Sequence, residues 1–267
     1  MSGRLALVTG ASSGIGAGLA RVYASHGYDL AITARRADRL EALADEARLR
    51  HGVEVTVIPA DLADPGAPGA ILGEIAAHGR TVDALVNNAG YGTPGPYPTG
   101  QWGEEEAFLR VMTVAVCELT HGILPGMAER RFGRIVNVAS LAGLIPGAPG
   151  TALYGAVKAF LVRYSQSLHL ENRATGVHVT ALCPGFTYTE FHDVNGTRAQ
   201  MAGQAPAWLW MGADEVAAAG YEAAEANRPL CVTGAPNQAI AAAAKILPDE
   251  WGMALMTRRP GRQRGKG

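Results

Sequence analysis

Two periodicities alternate along this chain. Short runs that are apolar almost throughout, and rich in β-branched residues, fall at 5–9, 29–33, 53–58, 84–87, 135–138, 177–182 and 230–233. Between them lie helix-length stretches in which apolar residues return every three to four positions, among them 15–26, 38–50, 103–128, 152–172 and 213–226. Strands without a polar face are expected where helices cover both sides of a parallel sheet. Strict strand–helix alternation, closed by right-handed crossovers, predicts a doubly wound α/β fold with a seven-stranded parallel sheet. Such units consume residues 1–257 as a single domain and leave 258–267 as a basic tail. Arg258, Arg259, Arg262, Arg264 and Lys266 there have no acidic residue among them, and the expectation is a solvated chain end.

One segment breaks the rhythm. After the strand at 177–182 the chain stays irregular through residues 186–212 and carries Phe186, Tyr188, Phe191, Trp208 and Trp210. Open α/β sheets bind ligands at the carboxyl ends of their strands, so this insert reads as a substrate lid. The alternative is a surface excursion that packs its own aromatic rings.

Composition narrows the classes of function. With 48% hydrophobic residues and a formal net charge of −1, the chain can fill a full core and carries no field for nucleic acid or an acidic membrane. Three cysteines, Cys117, Cys183 and Cys231, are too few and too widely spaced for a disulfide framework or a zinc site. Cys183 and Cys231 lie in or beside apolar runs and read as small buried hydrophobes. Seven histidines, including His121, His169 and His178, show no metal-ligand spacing, so no metal is expected. The first residues contain no charged leader with a cleavable apolar stretch, and no uncharged run has the length of a membrane span. A cytoplasmic location is expected.

The chemistry begins at Thr9-Gly10-Ala11-Ser12-Ser13-Gly14-Ile15-Gly16, between the first strand and a helix. A dinucleotide's pyrophosphate sits against backbone N–H groups at a helix N-terminus, where the dipole favours negative charge. Side chains at Gly10, Gly14 or Gly16 would block the turn or the approach of phosphate. The second strand ends Thr33-Ala34-Arg35-Arg36, without the acid that would hold an unmodified ribose 2′-hydroxyl. A guanidinium binds a 2′-phosphate through forked, charge-assisted contacts, with the Ser12 hydroxyl available beside it. NADP(H) is therefore expected ahead of NAD(H); the competing possibility is that Arg35 and Arg36 merely open a solvated helix.

Ser140 follows the fifth strand, and Tyr154 and Lys158 lie four residues apart on one helical face. An ammonium beside a phenol favours the phenolate, which would bring tyrosine into range for proton transfer. Ser140 would hold a substrate oxygen beside that hydroxyl.

With these pieces assembled, the sequence resembles the short-chain dehydrogenase/reductase family over nearly its whole length. The resemblance rests on Thr9 to Gly16, Asp61-Leu62, Asn87-Asn88-Ala89-Gly90, Ser140, Tyr154 with Lys158, and Pro184-Gly185 followed by Thr187 and Thr189. It implies a Rossmann fold, with Asp61 and Leu62 flanking the adenine and Asn87 to Gly90 lining the cofactor. It further implies that Ile15 floors the nicotinamide site, Lys158 holds the ribose hydroxyls and Thr189 the carboxamide. Pairing of the long helices 103–128 and 152–172 between subunits would give a homodimer or homotetramer. Met112 stands where the family commonly has an asparagine of a proton relay. The function expected is interconversion of a carbonyl and an alcohol on an apolar small molecule. Tyr91, Leu141, Leu144, Ile145, Phe186, Tyr188 and His192 are the expected substrate contacts. A sensor that binds NADP(H) without turnover is the rival reading.

Overall fold

The computed structural model describes residues 3–92, 95, 97–190 and 206–257. Its centre is a sheet of seven parallel strands: β1 (Leu5–Thr9), β2 (Asp29–Ala34), β3 (Val55–Pro59), β4 (Ala84–Asn87), β5 (Gly133–Val138), β6 (Val177–Cys183) and β9 (Leu230–Val232). They lie side by side in the order β3-β2-β1-β4-β5-β6-β9. The order turns back at β1, which pairs β2 on one side (Leu7↔Ala31) and β4 on the other (Leu7↔Leu85). The strand ends around that reversal open a crevice for a ligand.

Alternate residues of each strand feed two cores. Ala6, Val8, Leu30, Ile32, Val86 and Val136 face α1 (Gly14–Ser25), α2 (Ala37–His51) and α7 (Ala213–Glu225). Leu5, Leu7, Ala31, Leu85 and Ile135 face α3 (Ala67–Ala77), α4 (Trp102–Leu109), α5 (Ala115–Glu129) and α6 (Ala152–Glu171). The uniform burial of β1, β4 and β5 accounts for their lack of a polar face. Cys183 and Cys231 are buried, as their apolar neighbours imply.

Two features differ from the sequence expectation. The stretch 103–128 is not one regular helix: a π turn, Arg110–Val114, separates α4 from α5, and the Ala115 N–H reaches back to the Arg110 carbonyl. The run Trp102–Glu129 is also long and apolar enough, by length and composition alone, to cross a membrane. Here it packs on the sheet, burying Phe108, Met112, Leu119 and Met127 completely. The ends of the 186–212 segment meet: β7 (Thr187–Tyr188) pairs with β8 (Met211–Gly212) as a two-stranded parallel ribbon. Two helices, α8 (Ala235–Ala244) and α9 (Asp249–Thr257), complete the described chain.

Candidate active site

One cavity of about 740 Å³ runs along the carboxyl ends of the strands. It is walled by the glycine loop, the ends of β2 through β6, the N-terminal turns of α6 and the start of the 186–212 segment.

The glycine loop is held from outside by β4. Asn88 Nδ2 donates to the carbonyls of Thr9 (3.0 Å) and Gly10 (3.1 Å), while the Thr9 hydroxyl accepts from the Asn88 and Ala89 N–H groups. Gly10 and Gly14 have φ of 66° and 56°, the left-handed region that disfavours side chains. A Cβ on Gly10 would lie 2.8 Å from the Ala89 backbone. Among the described residues no side chain caps α1, whose N-cap is Ser13, so its first-turn N–H groups face no described side-chain acceptor and suit an anion. The loop therefore fits a dinucleotide's pyrophosphate.

Gly10, Ser12, Ser13, Gly14 and Ile15 line the cavity, and Gly16 lies behind it as a packing position. Arg35, Arg36, Asp61 and Leu62 wall one end. The Arg35 side chain is exposed there, whereas Arg36 turns inward, with Nε and Nη2 donating to Ser12 Oγ at 3.3 and 3.1 Å. Asn88, Ala89, Gly90, Pro184, Gly185, Thr187 and Thr189 line the middle.

Asn87 corrects the expectation. It is buried away from the cavity in a polar chain, donating to Thr120 Oγ1 (3.2 Å) and Asn137 Oδ1 (2.8 Å). Asn137 in turn donates to Ser165 Oγ at 2.9 Å, so the chain ties β4, β5, α5 and α6 together. Met112 also points elsewhere: it is fully buried, and its sulfur fills the space a Cβ on Gly90 would take.

Ser140, Tyr154 and Lys158 meet at the other end. Ser140 caps a 3₁₀ turn (Leu141–Gly143), its Oγ accepting from the Ala142 N–H at 3.1 Å, and it hydrogen-bonds the Tyr154 side chain. The Lys158 ammonium lies 5.6 Å from the Tyr154 ring centre and donates to the Val138 carbonyl at 2.7 Å. Gly143 makes this convergence possible: its Cβ position is 2.5 Å from the Lys158 carbonyl, so the serine turn lies flush on α6.

Burial raises the Tyr154 pKa, and the Ser140 hydrogen bond opposes that only in part. Lys158 is pushed down to about 8, also by burial. The expected depression of the tyrosine by its lysine is not found: burial raises the group, and the Ser140 hydrogen bond is what opposes it.

Among the expected substrate contacts, Tyr91, Leu141, Ile145 and Phe186 line the cavity, joined by Val111 and Pro146, which the sequence did not single out. Leu144 packs in the core instead. Tyr188 is a further correction: it is mostly exposed and stacks on Trp210 at 4.9 Å, outside the cavity wall. His192 and Phe191, like the 258–267 tail, lie outside the described residues. Among the described residues no cluster of three or more His, Cys, Asp or Glu could hold a metal ion.

A family model described as short chain dehydrogenase matches residues 4–199. This chain belongs to that family. Short-chain dehydrogenases are oxidoreductases, and the chain is 36% identical over 189 residues to oxidoreductase UcpA of Salmonella typhimurium, covering 71% of each protein. It is 34% identical over 234 residues to the NADP-dependent 3-hydroxy acid dehydrogenase YdfG of Salmonella typhi, covering 86% of each. The solved short-chain dehydrogenase of Sphingobium yanoikuyae in complex with NADPH superposes with a TM-score of 0.79 at 30% identity, over 97% of this chain and 98% of that one.

Proposed function

We propose that this short-chain dehydrogenase is an NADP(H)-dependent enzyme that interconverts a carbonyl and an alcohol on an apolar small molecule, preferentially as a reductase. The observation carrying this reading is that Ser140, Tyr154 and Lys158 share one cavity with a glycine loop shaped for pyrophosphate. Arg35, Arg36 and Ser12 would hold a 2′-phosphate, Asp61 and Leu62 the adenosine, Lys158 the ribose hydroxyls and Thr189 the carboxamide. When bound, the nicotinamide supplies the hydride for reduction or accepts it in the reverse direction. Tyr154 donates its hydroxyl proton to the carbonyl oxygen, and Ser140 donates a hydrogen bond that fixes and polarises that oxygen. Burial keeps Tyr154 in its protonated form, the one that can donate.

The substrate class follows from the walls near Tyr154. Leu141, Ile145, Pro146, Tyr91, Val111 and Phe186 are apolar or aromatic, and among the described lining residues the only other charged ones are Arg35, Arg36, Asp61 and Glu190. A buried carboxylate must be paired or hydrogen-bonded, and Lys158, the charged side chain beside Tyr154 among the described residues, already donates to the Val138 carbonyl and is assigned to the ribose hydroxyls. We assign a neutral ketone or aldehyde and its alcohol. The exposed apolar side chains Val114, Phe160 and Leu170 on the long helices support a homodimer or homotetramer, for which we propose a cytoplasmic location.

The test is oxidation of NADPH across a panel of neutral, bulky carbonyls and of keto acids. Turnover of neutral carbonyls that is lost in Tyr154→Phe, with NADPH binding kept, supports the reading. Binding without turnover of any substrate favours the sensor instead.

A further inference from the structure

Where the glycine loop meets the end of β2, the Glu190 carboxylate sits between two arginines. Arg36 spans two partners distant in sequence: its Nε and Nη2 donate to Ser12 Oγ of the glycine loop, and its Nη1 donates to Glu190 Oε2 at 2.9 Å. Arg39, one turn along α2, approaches Glu190 Oε1 at 3.6 Å. The residue before Glu190 is anchored as well, because a Cβ on Gly14 would fall 3.0 Å from the Thr189 methyl group. Glu190 is thereby delivered to Arg36 by a segment packed on the loop, and both residues line the cavity.

We propose that Glu190 is an internal competitor for the cofactor's 2′-phosphate, and so a determinant of how strongly this enzyme separates NADP(H) from NAD(H). This rests on the reading that Arg36 and Ser12 receive that phosphate. A guanidinium fork satisfied by a carboxylate presents fewer free N–H groups to an incoming anion. A carboxylate left beside a bound phosphate also repels it. The side chains of Arg36 and Glu190 are 41% and 37% exposed, so solvent screens the pair and its strength is modest. A dianion with three acceptor oxygens can therefore displace it, at a cost in affinity. NAD(H), with a neutral 2′-hydroxyl, leaves the pair intact and bears no such cost. Glu190 thus narrows a preference that the arginines create.

Binding of NADPH and NADH, followed by nicotinamide fluorescence, tests this in the wild type, Glu190→Gln and Arg36→Ala. Glutamine keeps the size of the side chain and removes its charge. We expect Glu190→Gln to tighten NADPH by about three- to tenfold and to change NADH by less than about twofold, an effect that shrinks as salt is raised. The same selective gain should appear for adenosine 2′,5′-bisphosphate over 5′-AMP. Weaker NADPH binding in Glu190→Gln would overturn the proposal by making the residue a support for Arg36, and an unchanged NADPH/NADH ratio would overturn it outright. A wild type that prefers NADH, or an Arg36→Ala protein with an unaltered ratio, removes the phosphate reading itself and the proposal with it.

Discussion

Gly16 and Asn88 touch so closely that a Cβ on the glycine would lie 2.3 Å from the asparagine's amide nitrogen. The same Cβ would lie 2.4 Å from the Gly10 carbonyl, which that nitrogen also holds. The glycine turn is thus fixed by contact with the end of β4.

Gly16→Ala should accordingly displace the loop and abolish measurable NADPH binding. Asn88→Ala, which removes the donor but keeps the space, should lower stability by about 1–3 kcal/mol and weaken NADPH. Thermal melts and fluorescence titration check both; an alanine at position 16 that binds normally would show that the turn adapts.

Tyr154→Phe should lower kcat by about 10²- to 10⁴-fold with little change in NADPH affinity. Because burial raises the Tyr154 pKa, the acid form persists through neutrality. The Tyr154 limb of reductive kcat in the wild type should then lie above the ordinary tyrosine range, with any inflection near pH 8 belonging to Lys158 and absent from Lys158→Met. A fall near pH 7 would mean that another group, or a much lower tyrosine pKa, governs the step.

Lys158 predicts an unusual stability profile. Its pKa is about 8 in the folded protein against an ordinary lysine value of 10.5, so between these values the unfolded chain binds more protons. The Lys158 contribution should rise with pH from about 8 toward 10, by at most about 3 kcal/mol, while from about 9 the buried thiols, with Cys183 raised to about 12, oppose it in the wild type and the variant alike. Above 10 the buried tyrosines oppose it, since Tyr28 and Tyr164 are raised to about 12 and favour the unfolded state there. Denaturant melts of the wild type and Lys158→Met should diverge in this window, the variant lacking the rise. Parallel curves would mean the ammonium is better solvated than its burial implies.

Gly143→Ala should push the Ser140 turn off α6, because the obstacle, the Lys158 carbonyl, is backbone and cannot swing aside. We expect kcat to fall about tenfold or more, with a smaller effect on NADPH binding, since a displacement of about an ångström disrupts reacting geometry. Single-turnover kinetics separate the two effects.

Much of this site was legible because each strand announces itself by uninterrupted apolar residues, and the motifs fall where strands end. All seven strands appear where the apolar runs lie, within a residue or two. What the sequence could not convey is direction. Asn87 and Asn88 are neighbours with the same side chain, yet one turns into a buried polar chain and the other clamps the glycine loop. Met112 lies in a π turn, whose extra residue shifts every later side chain around the helix and upsets alignment by spacing. Tyr188 was drawn toward substrate by its position, and the stacking partner that claims it, Trp210, lies far along the chain. Glu190 carried no motif at all; only folding brings it to Arg36 across 154 residues.

The cavity takes its walls from Gly10 at the first strand to Glu190 beyond the sixth, so no single strand–helix unit contains it. A ligand that fits there recognises the assembled strands β1 to β6, and forms in which those strands separate lose it. Cofactor supply then becomes a control on survival of the protein itself: at a hundred times its dissociation constant, such a ligand adds about 2.7 kcal/mol against unfolding. Cells depleted of the dinucleotide would be expected to clear this enzyme faster by proteolysis, so that its abundance follows its cofactor.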